Sequence, residues 1–383
     1  MPTPGSRSND TLPAAAGAAG PDAGAAAGAA AVGFTPAGQT GRDTGAEDAL
    51  PAPRRRLLLS GGSSGIGLEA VLQLLQTGDQ LSVLCRDAAT ADRLQRRFNG
   101  RLSTPICDLA DLASLERCCQ TLLQAGDPID VLVLNAGLQY SGARQPRWSA
   151  QGFELTVAVN HLAHQALLQR LLPLLLRSGA PRLVVTASEV HDPATPGGRV
   201  GPPAGLGSLA GLRHGRGAAM LAGGPFHAEK AYKDSKLCNL LMALQVERRL
   251  REQGTPMAVF AWSPGLVIPR GEGGFFRDSR RRNPIGQALF ALLARDLLRL
   301  SETPQRAGAL LAGLVSDAAP PSGGLQYWSN RVLGPGRLQF GLATPSAEAR
   351  SSALAEELWT LSAQQLGLAP DQGLVQDRPL RPR

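Results

Sequence analysis

The chain has 383 residues, a formal net charge of +8 and five cysteines. Its longest apolar runs, at 171–176 and 288–294, are far shorter than the roughly 20 residues that a membrane-spanning helix needs. The arginines are dispersed without interleaved aromatic residues, a pattern that disfavours nucleic-acid binding. We therefore expect a soluble protein with no nucleic-acid partner. The odd number of cysteines without metal-ligand spacing indicates free thiols in a reducing compartment and no metal site. The cysteines are Cys85, Cys107, Cys118, Cys119 and Cys238.

Residues 1–53 differ in composition from the rest of the chain. They are rich in Ala, Gly and Pro and contain almost no large apolar side chain that could be buried on folding, which predicts a disordered tail. The segment lacks the continuous apolar stretch of a secretory signal, and its acidic residues outnumber Arg7 and Arg42. We expect a cytoplasmic protein with one catalytic domain at 54–366 and a C-terminal tail at 367–383.

From Leu57 onward, short apolar runs alternate with helical patterns. This alternation predicts an α/β fold: a single Rossmann-like, doubly wound parallel sheet with helices on both faces. The strands are too continuously apolar to be exposed on one side. They are predicted at 57–60, 81–85, 104–107, 131–134, 182–187, 257–262 and 324–327. The clearest helical patterns are at 68–75, 112–123, 161–176 and 237–250.

The first predicted strand is followed by a glycine-rich turn, Ser60 to Gly67, that opens the first helix. Glycines at three of its positions allow a tight turn and a close approach of the backbone to a pyrophosphate, which then lies on the amides at the helix N-terminus. A glycine-rich turn without a ligand is the alternative. The predicted dinucleotide contacts of this turn are Gly61, Ser63, Ser64, Gly65, Ile66 and Gly67.

Arg86 follows the second strand, where the chain reaches the adenosine ribose. An arginine here pairs with the 2′-phosphate of NADP and favours NADPH, whereas an acidic residue would bind the 2′-hydroxyl of NAD. The neighbouring Asp87 could serve NAD in this way, so that alternative stays open. Asp108, at the end of the third strand, suits an adenine contact or a helix cap.

Two long segments, at 191–229 and 265–300, interrupt the alternation of strands and helices. Both follow the carboxyl ends of strands, where open α/β sheets bind ligands, so we interpret them as substrate loops. The second contains an arginine cluster at 280–282 and an amphipathic helix with apolar residues at 289–297. The cluster is typical of a solvated surface, with an anionic membrane or an acidic substrate as alternative partners. Peripheral membrane contact is therefore left open.

Tyr232 and Lys236 stand four residues apart on a predicted helix and so project from one face. The ammonium of Lys236 is expected to lower the phenol pKa of Tyr232, normally about 10, and make it an acid that works near neutrality. The only other lysines are Lys230 and Lys233, although arginine is used throughout the rest of the chain. This placement is compatible with a need for an amine whose pKa can shift.

The motifs and their order resemble the short-chain dehydrogenase/reductase family. The glycine-rich turn is similar to its T-G-x-x-x-G-x-G pattern, with Ser60 in place of threonine. The resemblance implies that Tyr232 is the proton donor, that Ser188 bonds the substrate carbonyl and that Asn160 holds a water in a proton relay. It also implies contacts to the cofactor from a further set of residues. These are Asn135, Ala136, Gly137, Tyr232, Lys236, Pro264 and Gly265.

Within that family, the segment 224–236 resembles light-dependent protochlorophyllide reductases. Further similarity lies at 152–155, 160–162, 276–277 and 327–329, so the resemblance covers most of residues 57–366. It implies reduction of the C17–C18 double bond of protochlorophyllide in light, with hydride from NADPH and a proton from Tyr232 or water.

The chain departs from that group at three places. Leu266 stands where the group has a cysteine implicated in pigment binding, its tyrosine after the N-A-G motif falls at Gln139, and the glycine run at 271–274 is unusual. Two alternatives therefore stay open: a light-independent NADPH-dependent carbonyl reductase or alcohol dehydrogenase for a bulky apolar substrate, and a non-catalytic pigment-binding protein. The paired tyrosine and lysine disfavour the second.

Overall fold

The computed structural model describes residues 54–255, 257–268, 270, 277–317 and 324–374. The predicted tail at 1–53 and the glycine run at 271–274 lie outside these residues. The strands are β1 (Arg56–Ser60), β2 (Gln80–Leu84), β3 (Val131–Leu134), β4 (Arg182–Thr186), β5 (Ala258–Ser263), β6 (Gln326–Gly334) and β7 (Arg337–Leu342). The α-helices are α1 (Gly65–Leu74), α2 (Ala88–Phe98), α3 (Leu112–Ala125), α4 (Leu155–Val157), α5 (Ala163–Leu175), α6 (Pro196–Arg199), α7 (Ala210–His214), α8 (Ala228–Glu252), α9 (Arg277–Arg282), α10 (Pro284–Ala291), α11 (Pro304–Ser316) and α12 (Ser352–Gln365). Turns of 3₁₀ helix cover Glu189–His191 and Glu348–Arg350, and π-helical turns cover Ala158–Leu162 and Leu292–Leu297.

The seven strands form one sheet in the order β2-β1-β3-β4-β5-β6-β7, parallel except for β7. Alternate residues of the central strands point to opposite faces. One face packs on α3, α5, α8 and α12, and the other packs on α1, α2 and α11. The predicted doubly wound, Rossmann-like α/β fold is confirmed. The strand order reverses between β1 and β3, which places the ligand crevice at their carboxyl ends.

The predicted strand at 104–107 is the main difference in the sheet. This segment runs beside β2 but pairs with it only through isolated bridges, Ser82 with Ser103 and Cys85 with Ile106. Pro105 accepts a hydrogen bond from Cys85 N at 2.8 Å, but it has no N–H to donate in return, so the ladder is interrupted there.

The other differences lie toward the C-terminal part of the chain. The last predicted strand is longer and turns into an antiparallel hairpin with β7, which the sequence did not indicate. The amphipathic helix predicted around the apolar residues at 289–297 is divided into α10 and a π-helical turn. Residues 367–374, assigned from the sequence to a tail, lie on the core: Leu368 and Leu374 are buried, and Trp359 Nε1 donates to Pro370 O at 2.8 Å. Within the described ranges no helix is both long enough and apolar enough to cross a bilayer.

Candidate active site

The glycine-rich turn is tied to the end of β3 by Ser60. This buried serine accepts hydrogen bonds at Oγ from the backbone N–H groups of Asn135 (3.0 Å) and Ala136 (3.1 Å). Gly61 has a φ of 71°, and a Cβ at Gly67 would lie 2.1 Å from the Gly61 carbonyl oxygen, so side chains are excluded at both positions. The turn therefore brings backbone, rather than side chains, to the crevice.

A hydrogen-bonded chain joins the carboxyl ends of four parallel strands. Asn135 Nδ2 donates to Gly61 O (3.2 Å), Thr186 Oγ1 donates to Asn135 Oδ1 (3.0 Å), and Trp262 Nε1 donates to Thr186 Oγ1 (2.9 Å). Asn135 thus joins the glycine-rich turn to Thr186, and its predicted contact with the cofactor stays a prediction. The chain fixes the edge on which the predicted site residues stand.

Tyr232 and Lys236 lie on α8 beside this edge. The Lys236 ammonium is 5.7 Å from the centre of the Tyr232 ring and donates to Thr186 O at 3.0 Å. The Tyr232 hydroxyl is hydrogen-bonded to Ser188, which follows β4. The structure thus brings three of the predicted catalytic residues together.

Burial dominates the acid–base properties of this pair. It lowers the pKa of Lys236 to about 8. It also raises the pKa of Tyr232, while the hydrogen bond with Ser188 acts in the opposite direction. The lowered tyrosine pKa expected from the sequence is therefore not what the structure shows, because desolvation of the phenol outweighs the nearby polar groups.

Asn160 lies in the π-helical turn between α4 and α5, and it connects the loop after β3 to α8. Its Oδ1 accepts from Leu138 N (2.8 Å), and its Nδ2 donates to Leu138 O and to Ser235 Oγ (3.0 Å each). Both hydrogens of the side-chain amide and one lone pair of its oxygen are thus used by protein groups. The relay water that the family resemblance implies for Asn160 stays a prediction.

Gly137 lies directly in front of Lys236 and Asn160, and Gly265 packs against the backbone of β6. A Cβ on Gly137 would lie 3.4 Å from Lys236 Nζ and 3.6 Å from Asn160 Oδ1. Gly265 has a φ of 76°, and a Cβ there would lie 2.6 Å from Asn330 O. Pro264 O accepts a hydrogen bond from Asn330 Nδ2 at 3.3 Å, which holds this turn on β6. The site is a cradle of backbone that an extended ligand could fill.

Just after β2, both oxygens of the Asp87 carboxylate have partners within the protein. Its Oδ1 accepts from Thr90 N at 2.8 Å and caps α2, and its Oδ2 lies 3.1 Å from Arg86 Nε. The Thr90 and Arg86 hydrogen bonds lower the pKa of Asp87 to about 2. Arg86 remains largely exposed. Asp108 Oδ1 caps the following turn by accepting from Ala110 N at 3.0 Å.

The loop at 191–227 is fastened to α8 by two lysines whose structural role the sequence did not reveal. Lys233 is buried, and its ammonium donates to the carbonyl oxygens of Gly198 (2.8 Å), Val200 (2.6 Å) and Pro202 (3.0 Å). Lys230 forms an ion pair with Asp234 at 2.7 Å and donates to Gly205 O at 2.6 Å. The only feature of the sequence that pointed to a special role for these lysines was their clustering on one helix.

Tyr140, next to the departure at Gln139, belongs to the core. Its hydroxyl donates to the buried carboxylate of Glu154, and its ring stacks on Phe226 with centroids 5.7 Å apart. Glu154 in turn accepts from Thr156 N at 3.0 Å and caps α4. The interaction therefore links the loop after β3 to the helical segment that carries Asn160.

Comparison with known proteins agrees with this geometry. A family model described as short chain dehydrogenase matches residues 55–199. Protochlorophyllide reductase A of Oryza sativa subsp. japonica is 35% identical over 324 residues, covering 82% of this chain and 80% of that protein. The protochlorophyllide reductase of Cucumis sativus is 33% identical over 323 residues, covering 82% and 78% of the two chains. Both proteins are described as chloroplastic.

Solved structures share the fold at lower identity. An uncharacterized protein from Mycobacterium paratuberculosis matches with a TM-score of 0.59 and 23% identity over 82% of this chain and 94% of that chain. L-Sorbose reductase from Gluconobacter frateurii, complexed with NADPH and L-sorbose, matches with a TM-score of 0.53 and 15% identity over 73% and 95% of the two chains. The chain belongs to the short-chain dehydrogenase/reductase family of oxidoreductases, and within that family its sequence resembles protochlorophyllide reductases.

Proposed function

We propose that this protein is an NADPH-dependent reductase that transfers hydride to a carbon–carbon double bond of protochlorophyllide or a closely similar tetrapyrrole. The contact between Tyr232, Ser188 and Lys236 at the open cradle carries the reductase part of the proposal. The substrate part is supported by the identity of 35% to a protochlorophyllide reductase over 82% of the chain. The loop fastened to α8 at 191–227 supplies a wall for a large substrate.

The residues present fit a nicotinamide dinucleotide, which supplies the hydride when it is bound. The amides at the start of α1 and the glycine-rich turn would hold the pyrophosphate. Arg86, with an exposed guanidinium, would hold the 2′-phosphate. Lys236 lies beside Gly137 and beneath the Tyr232 ring, and the reacting end would lie next to these two residues.

The proton is supplied at Tyr232 Oη. The Tyr232 hydroxyl is protonated at neutral pH and hydrogen-bonded to Ser188, and this hydrogen bond lowers the phenol pKa against the effect of burial, which favours proton donation. Lys236 is cationic below a pH of about 8 and stabilises the phenolate that remains after the proton leaves. Leu266 has no proton to give, so the proton is assigned to Tyr232, with a water molecule as the alternative donor that the Tyr232→Phe variant tests.

The direct test combines the purified protein with NADPH and protochlorophyllide and records absorption spectra in darkness and after illumination. We expect a red shift on binding and light-dependent conversion of the pigment. Absence of pigment binding would refute the substrate assignment. Dark, NADPH-dependent reduction of a bulky carbonyl compound would then support the second candidate, a carbonyl reductase, which Leu266 at the former cysteine position favours.

Arg86→Ala should weaken NADPH binding by about tenfold to a hundredfold and leave NADH binding within about twofold, because only NADPH carries the 2′-phosphate. Titration of each dinucleotide by calorimetry would measure this. Arg96→Ala, in the last turn of the adjacent helix α2, is the matched control and should bind both dinucleotides as the wild type does. Equal affinity of Arg86→Ala and the wild type for NADPH would contradict the assignment.

We further propose that α10 contacts a membrane surface. The exposed fraction is 82% for Ile285, 55% for Leu289 and 69% for Leu297, and Arg281 and Arg282 lie exposed just before this helix. Apolar side chains beside arginines suit the boundary between acyl chains and anionic headgroups. The chloroplast location of the relatives supports a plastid membrane, and thus a plastid location in place of the cytoplasm expected from the sequence.

Ile285→Glu should reduce co-sedimentation with vesicles containing anionic lipid by about tenfold, because it places a carboxylate in the apolar face. Leu333→Glu, which alters an apolar side chain of β6 that is 53% exposed, is the control and should sediment as the wild type does. Equal sedimentation of both variants and the wild type would refute this membrane surface.

A further inference from the structure

A cavity of about 850 Å³ lies beside Gly65, the first residue of α1. Its outer wall is formed by described residues of the segment between β5 and α11, among them Ile268, Arg270 and Arg299. The base of this segment is fixed, because Glu302 N donates to Leu266 O at 2.7 Å and Val267 bridges to Glu302. The cavity is therefore a defined space between this segment and the N-terminus of α1.

Arg270, Arg295 and Arg299 line this cavity. None of them was recognised from the sequence as a site residue. Asp296 forms ion pairs with Arg295 at 2.7 Å and with Arg270 at 3.2 Å, so one carboxylate faces two guanidinium groups. The side chain of Arg270 is 80% exposed and has further donors available.

The other carboxylates in the cavity wall have their own partners. Glu69 accepts from Gln305 Nε2 at 3.2 Å, and Glu302 accepts from Asn330 Nδ2 at 3.2 Å. Among the residues that the structure describes, Arg299 has no side-chain hydrogen bond or ion pair. Within the described part of the chain, the Arg299 guanidinium and part of the Arg270 guanidinium therefore have donors without a protein acceptor.

The backbone of Arg299 is held in an unusual conformation. Its φ is 51°, in the left-handed region that favours glycine. Gly336, in the turn between β6 and β7, donates its N–H to the carbonyl oxygens of Leu298 (3.1 Å) and Arg299 (3.2 Å). The hairpin thus fixes this conformation, and backbone strain of this kind clusters at ligand-binding sites.

We propose that Arg270 and Arg299 bind the pyrophosphate of NADPH from the side opposite to the amides of α1. The inference rests on the proposed function and extends it to residues outside the glycine-rich turn. A pyrophosphate carries two negative charges, and guanidinium groups bind phosphate oxygens through paired, charge-assisted hydrogen bonds. The α1 amides then hold one side of the pyrophosphate, and the two arginines hold the other.

The test measures the dissociation constants of NADPH and NADH for Arg270→Ala and Arg299→Ala. Both dinucleotides contain the pyrophosphate, so each variant should bind both about tenfold more weakly than the wild type. This equal loss differs from the loss confined to NADPH that is expected for Arg86→Ala. Arg306→Ala, on the exposed side of α11, is the control and should retain wild-type affinity for both.

Arg270→Lys keeps the positive charge and should lose less affinity than Arg270→Ala, and unchanged melting temperatures would show that the variants are folded. If the wild type binds NADPH and both alanine variants bind it as tightly as the wild type does, the inference is wrong. The proposed cofactor then stands. A loss restricted to NADPH would overturn the pyrophosphate assignment. Failure of the wild type to bind either dinucleotide would overturn the proposed function and this inference with it.

Discussion

Tyr232→Phe should reduce the rate of substrate reduction by a factor of about 10² to 10⁴, which is the usual contribution of a positioned acid. The substitution keeps the ring beside Lys236 but removes the only hydroxyl that Tyr232 can offer to the substrate. Binding of NADPH should change far less than the rate, because the predicted phosphate contacts come from other residues. Rates from illuminated single-turnover reactions, combined with cofactor titration, would measure both effects.

Tyr140→Phe is the matched control for this experiment. Its ring should remain stacked on Phe226, and the lost hydrogen bond to Glu154 should reduce the free energy of unfolding by about 1–3 kcal/mol without reducing turnover. If Tyr232→Phe converts the pigment at the wild-type rate, Tyr232 is not the proton donor, and a water molecule must supply the proton instead.

The fold could be predicted because its signals are local. Each buried parallel strand is a short apolar run, and the glycine-rich turn and the pair Tyr232 and Lys236 have fixed spacings that hold in the structure. The hairpin strand β7 escaped prediction because its residues are half-buried or exposed, and it is stabilised by contacts such as the stacking of Phe340 on Trp328 at 5.4 Å. The opposite error occurred at 104–107. This segment was predicted as a strand, but Pro105 has no N–H to donate to β2, so only isolated bridges form there.

The surroundings of the site could not be predicted because they depend on residues far apart in the sequence. Asn160 was identified from a motif, yet its partners Leu138 and Ser235 are 22 and 75 positions away. The backbone of Arg299, which lines the cavity beside α1, is held by a β-hairpin more than thirty positions later, and that hairpin was itself missed. Spacing identifies which groups are present, whereas their protonation and partners follow from burial in the folded chain.

Lys233 is the clearest example of a residue whose role depends on groups that are distant in the sequence. Lys233→Met should reduce the free energy of unfolding by about 2–4 kcal/mol, because three carbonyl oxygens lose one buried ammonium that bonds all of them. Methionine fills a similar volume, so the loss arises from hydrogen bonding and not from a cavity. The acceptors lie 31 to 35 positions before Lys233, and the segment they belong to should detach from α8 when the donor is removed.

Thermal melting would measure the loss of stability, and limited trypsin digestion would measure the detachment of the loop from α8. Trypsin should cut at Arg199 much faster in Lys233→Met than in the wild type, since this residue lies next to Gly198 and Val200. Arg251→Met is the control: it removes one charge from the same helix, and its half-exposed guanidinium makes a single long ion pair, at 3.5 Å with Glu247, so the loss of stability should be smaller than for Lys233→Met. If Lys233→Met melts and is digested like this control, the ammonium does not hold the loop. If the loop is released while Tyr232 and Lys236 remain in place, KM for a bulky substrate should rise more than kcat falls, because the role proposed for the loop is to form a substrate wall and not to donate the proton.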